Sequence, residues 1–320
     1  MKILIIGAGG CFGQNAAMYL CRQGHQVIGI GRAPVKPECF SLGFSHSNYR
    51  YEVLHLVDDL AAILCLIEDE KPDAVVNYAA QAGLVPDSWR VPELFYAANT
   101  VAVIDLWEAL KRSRYPGRFV QIGSSEVYGS RDFPAVENSA PQCTTPYAVS
   151  KLAADMHLEC QRDERIIVVR PSNCYCPGQA LHRLIPRAIL ASLTWTKMPL
   201  QGGGAAKKSY MHAEDLSSAL ELLLHCDGGT YNIGPLEPVA VRDIVQYIAM
   251  AMNKGMADIC EQTPGRPGED QMYWLNSGKI RALGWSDGIG IRHGIAEMID
   301  WETKYLEQLK EQPIEYRIRA

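Results

Sequence analysis

The chain has 320 residues, 48% of them hydrophobic and 21% charged, which is enough to bury a sizeable core as one large domain or two medium ones. Its net charge of −5 offers no basic footprint for nucleic acid or for an anionic membrane surface, so neither is an expected partner. Ten cysteines lack any paired metal-ligand spacing, and Cys174 and Cys176 sit too close together for a zinc knuckle; no metal is expected, and the thiols read as free in a reducing compartment. The chain opens on an apolar run at 3–6 that glycine interrupts at once, far short of a signal-peptide core, and no stretch approaches the ~20 apolar residues of a membrane span. A soluble, cytoplasmic protein is expected.

Gly7-Ala8-Gly9-Gly10-Cys11-Phe12-Gly13 follows that first strand and opens a helix over 12–22. The first glycines permit a tight turn and close backbone approach, the exposed amides of Gly10, Cys11 and Phe12 and the positive helix end favour a pyrophosphate, and Gly13 lets helix and strand pack closely. The second strand, 27–30, ends in Ile30-Gly31-Arg32 with no acid to accept bonds from a ribose, and Lys36 follows. Two cations there suit a 2′-phosphate, so NADP is the preferred cofactor and NAD the alternative.

A third strand is expected over 51–57, then Asp59 and Leu60 placed to hold the adenine, and a helix over 60–70. The fourth strand, 74–78, delivers Ala79, Ala80 and Gln81 to the cofactor wall. A helix over 96–113 and a strand over 118–122 lead to Ser124. A further helix covers 147–161, with Thr145 as its cap and Pro146 in its first turn, and a sixth strand covers 166–170. Continuous apolar strands alternating with helices argue for a doubly wound parallel sheet of Rossmann type.

After Pro171 glycine and proline cluster at 177–178, 202–204, 228–229 and 264–268, while Leu216, Ala219, Leu220 and Leu223, and then Ile244, Val245, Ile248 and Met252, still mark helix faces. Residues 1–171 therefore read as a dinucleotide-binding domain. Residues 172–320 read mainly as a smaller, loop-rich α/β substrate lobe, with some segments returning to the first domain.

Tyr147 and Lys151, four apart, share one helix face. A phenol is a poor base at pH 7, but a nearby ammonium and an oxidised nicotinamide both favour its phenolate, so the pair can shuttle a proton. Ser124 can donate to the substrate oxygen that Tyr147 deprotonates.

These segments, together with Asn77-Tyr78-Ala79-Ala80-Gln81, Gly123-Ser124-Ser125-Glu126-Val127-Tyr128-Gly129, Pro146-Tyr147-Ala148-Val149-Ser150-Lys151, Arg170-Pro171-Ser172-Asn173, Ser209 to Asp215, Tyr231-Asn232-Ile233-Gly234 and Gly265 to Asp270, resemble the extended short-chain dehydrogenase/reductase family, and most closely its sugar-nucleotide epimerases and 4,6-dehydratases. The resemblance runs almost end to end. It implies transient oxidation of a sugar at C4, with Tyr147 taking the hydroxyl proton, Lys151 lowering its pKa and holding the nicotinamide ribose, and Ser124 orienting the sugar oxygen.

Glu126 matches the glutamate that removes the C5 proton in the dehydratases. Ser125 departs from the aspartate of the dTDP-glucose type and resembles the GDP-mannose type. Asn99 and Pro171 join the implied cofactor wall, and Asn173, Arg183, Leu184, Lys208, Asn232 and Arg266 the implied nucleotide site. Lys208 replaces the arginine of the dTDP-glucose type, a point charge for a bidentate fork. The resemblance also implies a homodimer through a four-helix bundle, and Val101, Ile104, Ala109 and Leu110 supply more apolar surface than one sheet-facing stripe needs. The leading reading is an NDP-hexose 4,6-dehydratase. A 4-epimerase or 4-keto reductase comes second, and a non-catalytic dinucleotide sensor is remote because Tyr147 and Lys151 are both present.

Overall fold

The structure, a computed structural model, describes residues 1–34, 36–42, 46–83, 85–265, 270–316 and 318. The first half runs β1 Lys2–Ile6, α1 Cys11–Arg22, β2 Gln26–Gly31, β3 Tyr49–Val53, α2 Leu60–Glu70, β4 Ala74–Asn77, α3 Ala102–Arg112, β5 Arg118–Ile122, α4 Pro146–Cys160 and β6 Ile166–Pro171. The second half runs β7 Asn173–Tyr175, α5 Leu184–Thr194, β8 Met198–Gln201, β9 Lys207–Lys208, β10 Tyr210–His212, α6 Ala213–Leu223, β11 Gly229–Ile233, β12 Val239–Ala240, α7 Val241–Ala251, β13 Cys260–Thr263, β14 Met272–Tyr273 and α8 Ile291–Lys304, with shorter helical turns between them.

Seven strands form one parallel sheet in the order β11-β6-β5-β4-β1-β2-β3. Both of its faces are covered, which explains the apolar runs. Along β1, Ile3 and Ile5 enter a cluster with Ala16, Leu20, Leu216 and Leu220 of α1 and α6. Leu4 and Ile6 enter the opposite one with Ile63, Leu106 and Leu158 of α2, α3 and α4. Residues 213–233 thus complete the large sheet and its helical layer, while α5, α7 and α8 enclose a separate core around Ile189, Ile248 and Ile295.

The chain changes winding direction between β1 and β4, and an open α/β sheet presents a crevice at the carboxyl ends of such a strand pair.

Two elements depart from the pattern in the sequence. The third strand covers Tyr49–Val53 rather than 51–57, because its ladder with β2 ends at Gly31 opposite Val53. After a last bond from the Leu54 amide to Gly31 O at 3.1 Å, residues 54–57 leave the sheet and line a cavity. The helix expected over 96–113 begins earlier, at Pro92–Tyr96, passes through a π-helical stretch at Ala97–Val101, and only then becomes α3. No helix among the described residues is long and apolar enough to cross a membrane.

Candidate active site

A cavity of about 460 Å³ opens at the crevice between β1 and β4. Gly7, with φ +87°, forms its floor, and a Cβ there would lie 2.5 Å from the amide nitrogen of Ala79. Only glycine lets the two strand ends close this tightly. Gly13 meets the same limit against the carbonyl of Gly7, so α1 rests directly on the end of β1. Its helix starts at Cys11 with no side-chain cap on the first turn, which leaves the amides of Cys11 and Phe12 at the positive helix end. A narrow glycine cradle, an uncapped helix end and a long cavity fit a dinucleotide.

The cavity wall carries Gly10, Arg32, Lys36, Ala79, Ala80 and Gln81, as the sequence indicated. Tyr51 closes its far side, its hydroxyl donating to Ala33 O at 2.7 Å. Asp59 and Leu60 are displaced from the expected role. The Asp59 carboxylate accepts the His55 amide at 2.7 Å, and Leu60 packs into the core beneath the sheet, so Val57 and Asp58 form the wall instead. Pro171 ends β6 paired with Ile233.

Asn99 is wholly buried and reaches the cavity indirectly. Its Oδ1 accepts the Gln81 amide at 2.7 Å, while its Nδ2 donates to Gln81 O and to Ser150 Oγ, both at 3.0 Å. It therefore fixes the Gln81 backbone against α4.

Thr145 caps α4 by accepting the Ala148 amide at 3.1 Å, which sets the face that Tyr147, Lys151, Asp155 and Glu159 share. Ser124 caps a short turn at Ser125–Tyr128, accepting the Glu126 amide at 3.2 Å, and its hydroxyl lies near enough to Tyr147 to favour the phenolate. Ser124, Glu126 and Tyr147 thus converge at the mouth of β5.

The phenol of Tyr147 sits above its ordinary range, first because it is buried and second because the Glu126 charge opposes a phenolate; Ser124 and Arg183 pull the other way. The balance is upward, in place of the depression expected from the sequence. The Lys151 ammonium, 2% exposed, donates to Ile122 O at 2.5 Å, and burial draws it down to about 8 despite the Asp155 charge. Asp155 in turn holds Arg170 at 2.9 Å, and Arg170 also reaches Tyr128 and Glu159.

Arg183 donates to Ala82 O at 2.7 Å, and its charge acts on both Tyr147 and Cys11. Asn173 offers a buried Oδ1 with no hydrogen-bond partner among the described residues. Lys208 lies over the Tyr273 ring at 5.2 Å, and Leu184 opens α5 packed on its own lobe. Asn232 is not available to a substrate. It is wholly buried, its Oδ1 accepting from Tyr128 and its Nδ2 donating to Ala135 O, so it ties β11 to the turn after β5. Arg266 lies outside the described residues.

Two further neighbours carry no signal in the sequence. Tyr316, far along the chain, accepts from Gln81 Nε2 at 3.2 Å and packs edge-on against His182, ring centroids 4.9 Å apart. Burial and two nearby arginines push the His182 imidazole down to about 4, so it is neutral. His212, within a conspicuous motif, is a buried helix cap that accepts the Glu214 amide.

Residues 3–234 match the NAD dependent epimerase/dehydratase family. The chain is 28% identical over 95% of its length to a trifunctional UDP-glucose 4,6-dehydratase/UDP-4-keto-6-deoxy-D-glucose 3,5-epimerase/UDP-4-keto-L-rhamnose-reductase of Arabidopsis thaliana, and spans 47% of that protein. It is 29% identical to the dTDP-glucose 4,6-dehydratase of Salmonella typhimurium, over 97% of this chain and 96% of the other. Among solved structures, a dTDP-glucose 4,6-dehydratase from Bacillus anthracis in complex with NAD superposes with a TM-score of 0.86 at 26% identity, covering 97% of this chain and 99% of that one. Sequence, fold and the convergence of Ser124, Tyr147 and Lys151 agree: the chain belongs to the NAD dependent epimerase/dehydratase family.

Proposed function

We propose that the chain is a nucleotide-sugar 4,6-dehydratase that oxidises a hexose transiently at C4 and eliminates water across C5 and C6. The observation that carries this reading is the placement of Glu126, whose charge reaches the Tyr147 phenol from the turn that Ser124 caps. A carboxylate beside the proton-transfer pair gives one site two bases, one for a hydroxyl and one for a carbon acid.

A bound nicotinamide would supply the hydride acceptor and donor for the sugar. Ser124 holds the C4 oxygen and Tyr147 takes its proton. With the phenol held high by burial and by Glu126, the nearby Arg183 charge favours its ionisation. Lys151 is placed at the carbonyl end of β5, where an ammonium can also hold a ribose hydroxyl. Glu126 then removes the C5 proton, the C6–O bond breaks, and the carboxylic acid so formed returns the proton to the departing hydroxyl, which leaves as water. Arg183, Asn173 and Lys208 are the groups through which the second lobe would hold the nucleotide diphosphate, with Arg266 as a further candidate from the sequence.

The cofactor is a nicotinamide dinucleotide, and its finer identity is proposed as NADP because Arg32 and Lys36 line the cavity where β2 ends without an acid. We place the dinucleotide domain at 1–171 and the sugar-nucleotide lobe mainly within 172–320. Two copies would pair through α4 and through α3 with the π-helical stretch before it, where Val101, Val149 and Met156 are 53%, 40% and 51% exposed. Leu110 is turned into the core and takes no part in that face.

Replacing Glu126 by Gln tests the reaction. The amide keeps the shape but takes no proton, so C4 oxidation proceeds and reduced cofactor accumulates without product. Normal turnover by the variant, with no exchange of the C5 hydrogen by the wild type in deuterated solvent, would instead establish a 4-epimerase or 4-keto reductase.

A further inference from the structure

A single side-chain oxygen joins the helix that carries Tyr147 to the strand that runs beside Lys208. Asp270 Oδ2 accepts the Thr144 hydroxyl and the Tyr273 hydroxyl, each at 2.6 Å. Asp270 is 8% exposed, so water competes little for these two short bonds. Thr144 directly precedes Thr145, the cap of α4, and Tyr147 is the second residue of that helix. Tyr273 ends β14, where its register with β9 sets it opposite Lys208, whose Nζ lies 5.2 Å over the Tyr273 ring.

The base on which Asp270 stands is fixed from both sides. Lys207 N–H donates to Gln271 O at 2.8 Å, while the Met272 amide donates to Ser130 Oγ at 3.0 Å and the Ala135 amide to Trp274 O at 2.9 Å. One residue past Lys208, Ser209 O accepts the Asn173 amide at 3.0 Å, so two of the groups proposed to hold the diphosphate share that base. The start of α4 is the part that needs holding. The first amides of a helix find no carbonyl within it, and helix ends open before helix centres. Lys151 lies one turn further in and is anchored on Ile122 O, whereas Tyr147 sits in that first turn.

We propose that Asp270 is a positioning residue for proton transfer at Tyr147: through Thr144 it pins the first turn of α4 to the strand beside Lys208, so the lobe that binds the substrate also aims the phenol. This role rests on the reading of Tyr147 as the base for the C4 hydroxyl. Thr145 caps the helix from within its own segment and sets no direction relative to the second lobe; Asp270 supplies that reference. A shift of ~1 Å in a reacting group can cost about a hundredfold in rate. Because Lys151 is held separately, the loss should fall on turnover and spare dinucleotide binding.

The test compares the whole wild-type chain with Asp270→Ala, Asp270→Asn and Thr144→Val, on UDP-glucose and dTDP-glucose. Asp270→Ala should lower kcat roughly ten- to a hundredfold, with KM and the dinucleotide affinity within about threefold of wild type. Asp270→Asn keeps an oxygen that can accept both hydroxyls and should restore most of the rate. Thr144→Val cuts the same link from the exposed side without touching the buried acid, so it serves if Asp270→Ala fails to fold. Combined with Asp270→Ala, it should add no further loss. In deuterated water, cofactor-stripped Asp270→Ala and Thr144→Val should exchange the amides of 147–149 about tenfold faster than wild type, with α7 unchanged. Faster exchange with wild-type kcat, or a loss confined to KM, overturns the positioning role; unchanged exchange overturns the tie itself. A wild type inert on both nucleotide hexoses would count instead against the dehydratase reading, and the exchange comparison then decides the tie by itself.

Discussion

The ammonium of Lys151 lies 2.5 Å from the carbonyl oxygen of Ile122, which also accepts Gln121 Nε2 at 3.0 Å. Gln121 Oε1 takes Asn77 Nδ2 at 2.8 Å, so one buried chain of amides joins the end of β4 to the lysine. This contact locates the charge but does not remove the cost of burying it. Lys151 is depressed to about 8, hence its folded state binds fewer protons than the unfolded chain between there and the free-lysine value of roughly 10.4. Stability lost to this group is lost in full below about pH 8 and recovered as pH rises toward 10. Lys151→Met should therefore raise the melting temperature at pH 7, by the equivalent of about 1–3 kcal/mol, with the gain fading by pH 10. In the wild type, kcat/KM should fall above about pH 8 as the ammonium is lost. Melts at both pH values and a pH–rate profile check the pair of effects.

Tyr147→Phe keeps the ring that packs edge-on against Phe95, centroids 6.2 Å apart, and deletes the hydroxyl near Ser124. Turnover should drop by ~10² to 10⁴ while dinucleotide binding stays close to wild type. A variant with a tenth or more of the wild-type rate would take Tyr147 out of its role.

Arg32 and Lys36 stand on the cavity wall beside Ala33, whose carbonyl Tyr51 holds. If they face a 2′-phosphate, Arg32→Ala should weaken NADP by ~1.5–3 kcal/mol and leave NAD nearly unchanged. Calorimetry on stripped protein measures both, and equal affinities in the wild type would assign NAD.

The glycine loop, the alternation of strands with helices and the helix face bearing Tyr147 and Lys151 are legible in the sequence because each depends on neighbours a few residues away. Gly7 must be glycine since a side chain would strike Ala79, and that need is visible in the motif itself. The directions of the charges are not legible. Nothing local says that Lys151 turns to Ile122, that burial and then Glu126 raise the phenol, or that Asn232 spends its amide on Tyr128 and Ala135. Nor can spacing reveal that Gln81, His182 and Tyr316 meet, because the loops carrying them are positioned by separate cores.

Val101, Val149 and Met156 form the exposed apolar side of two adjoining helices, while Ile104 and Ala109 are half-buried beside them. Light scattering at low micromolar concentration should return twice 35.5 kDa. Met156→Glu, placing a charge on that face, should shift the species toward one copy with little change in far-ultraviolet dichroism.

The π-helical stretch at Ala97–Val101 places Asn99 where it grips Gln81. A π turn holds one residue more than an α turn, so the extra residue is absorbed while the helix on either side stays in phase. Removing any one residue from 97–101 would let the turn close to regular α geometry, with the flanking helix unrotated and the bulge that presents Asn99 gone. Asn99 would then swing off the Gln81 backbone though its codon were untouched. In this segment a length change is the more damaging lesion, and alignments or designs that tidy the helix by one position would erase the site without altering any residue assigned to it.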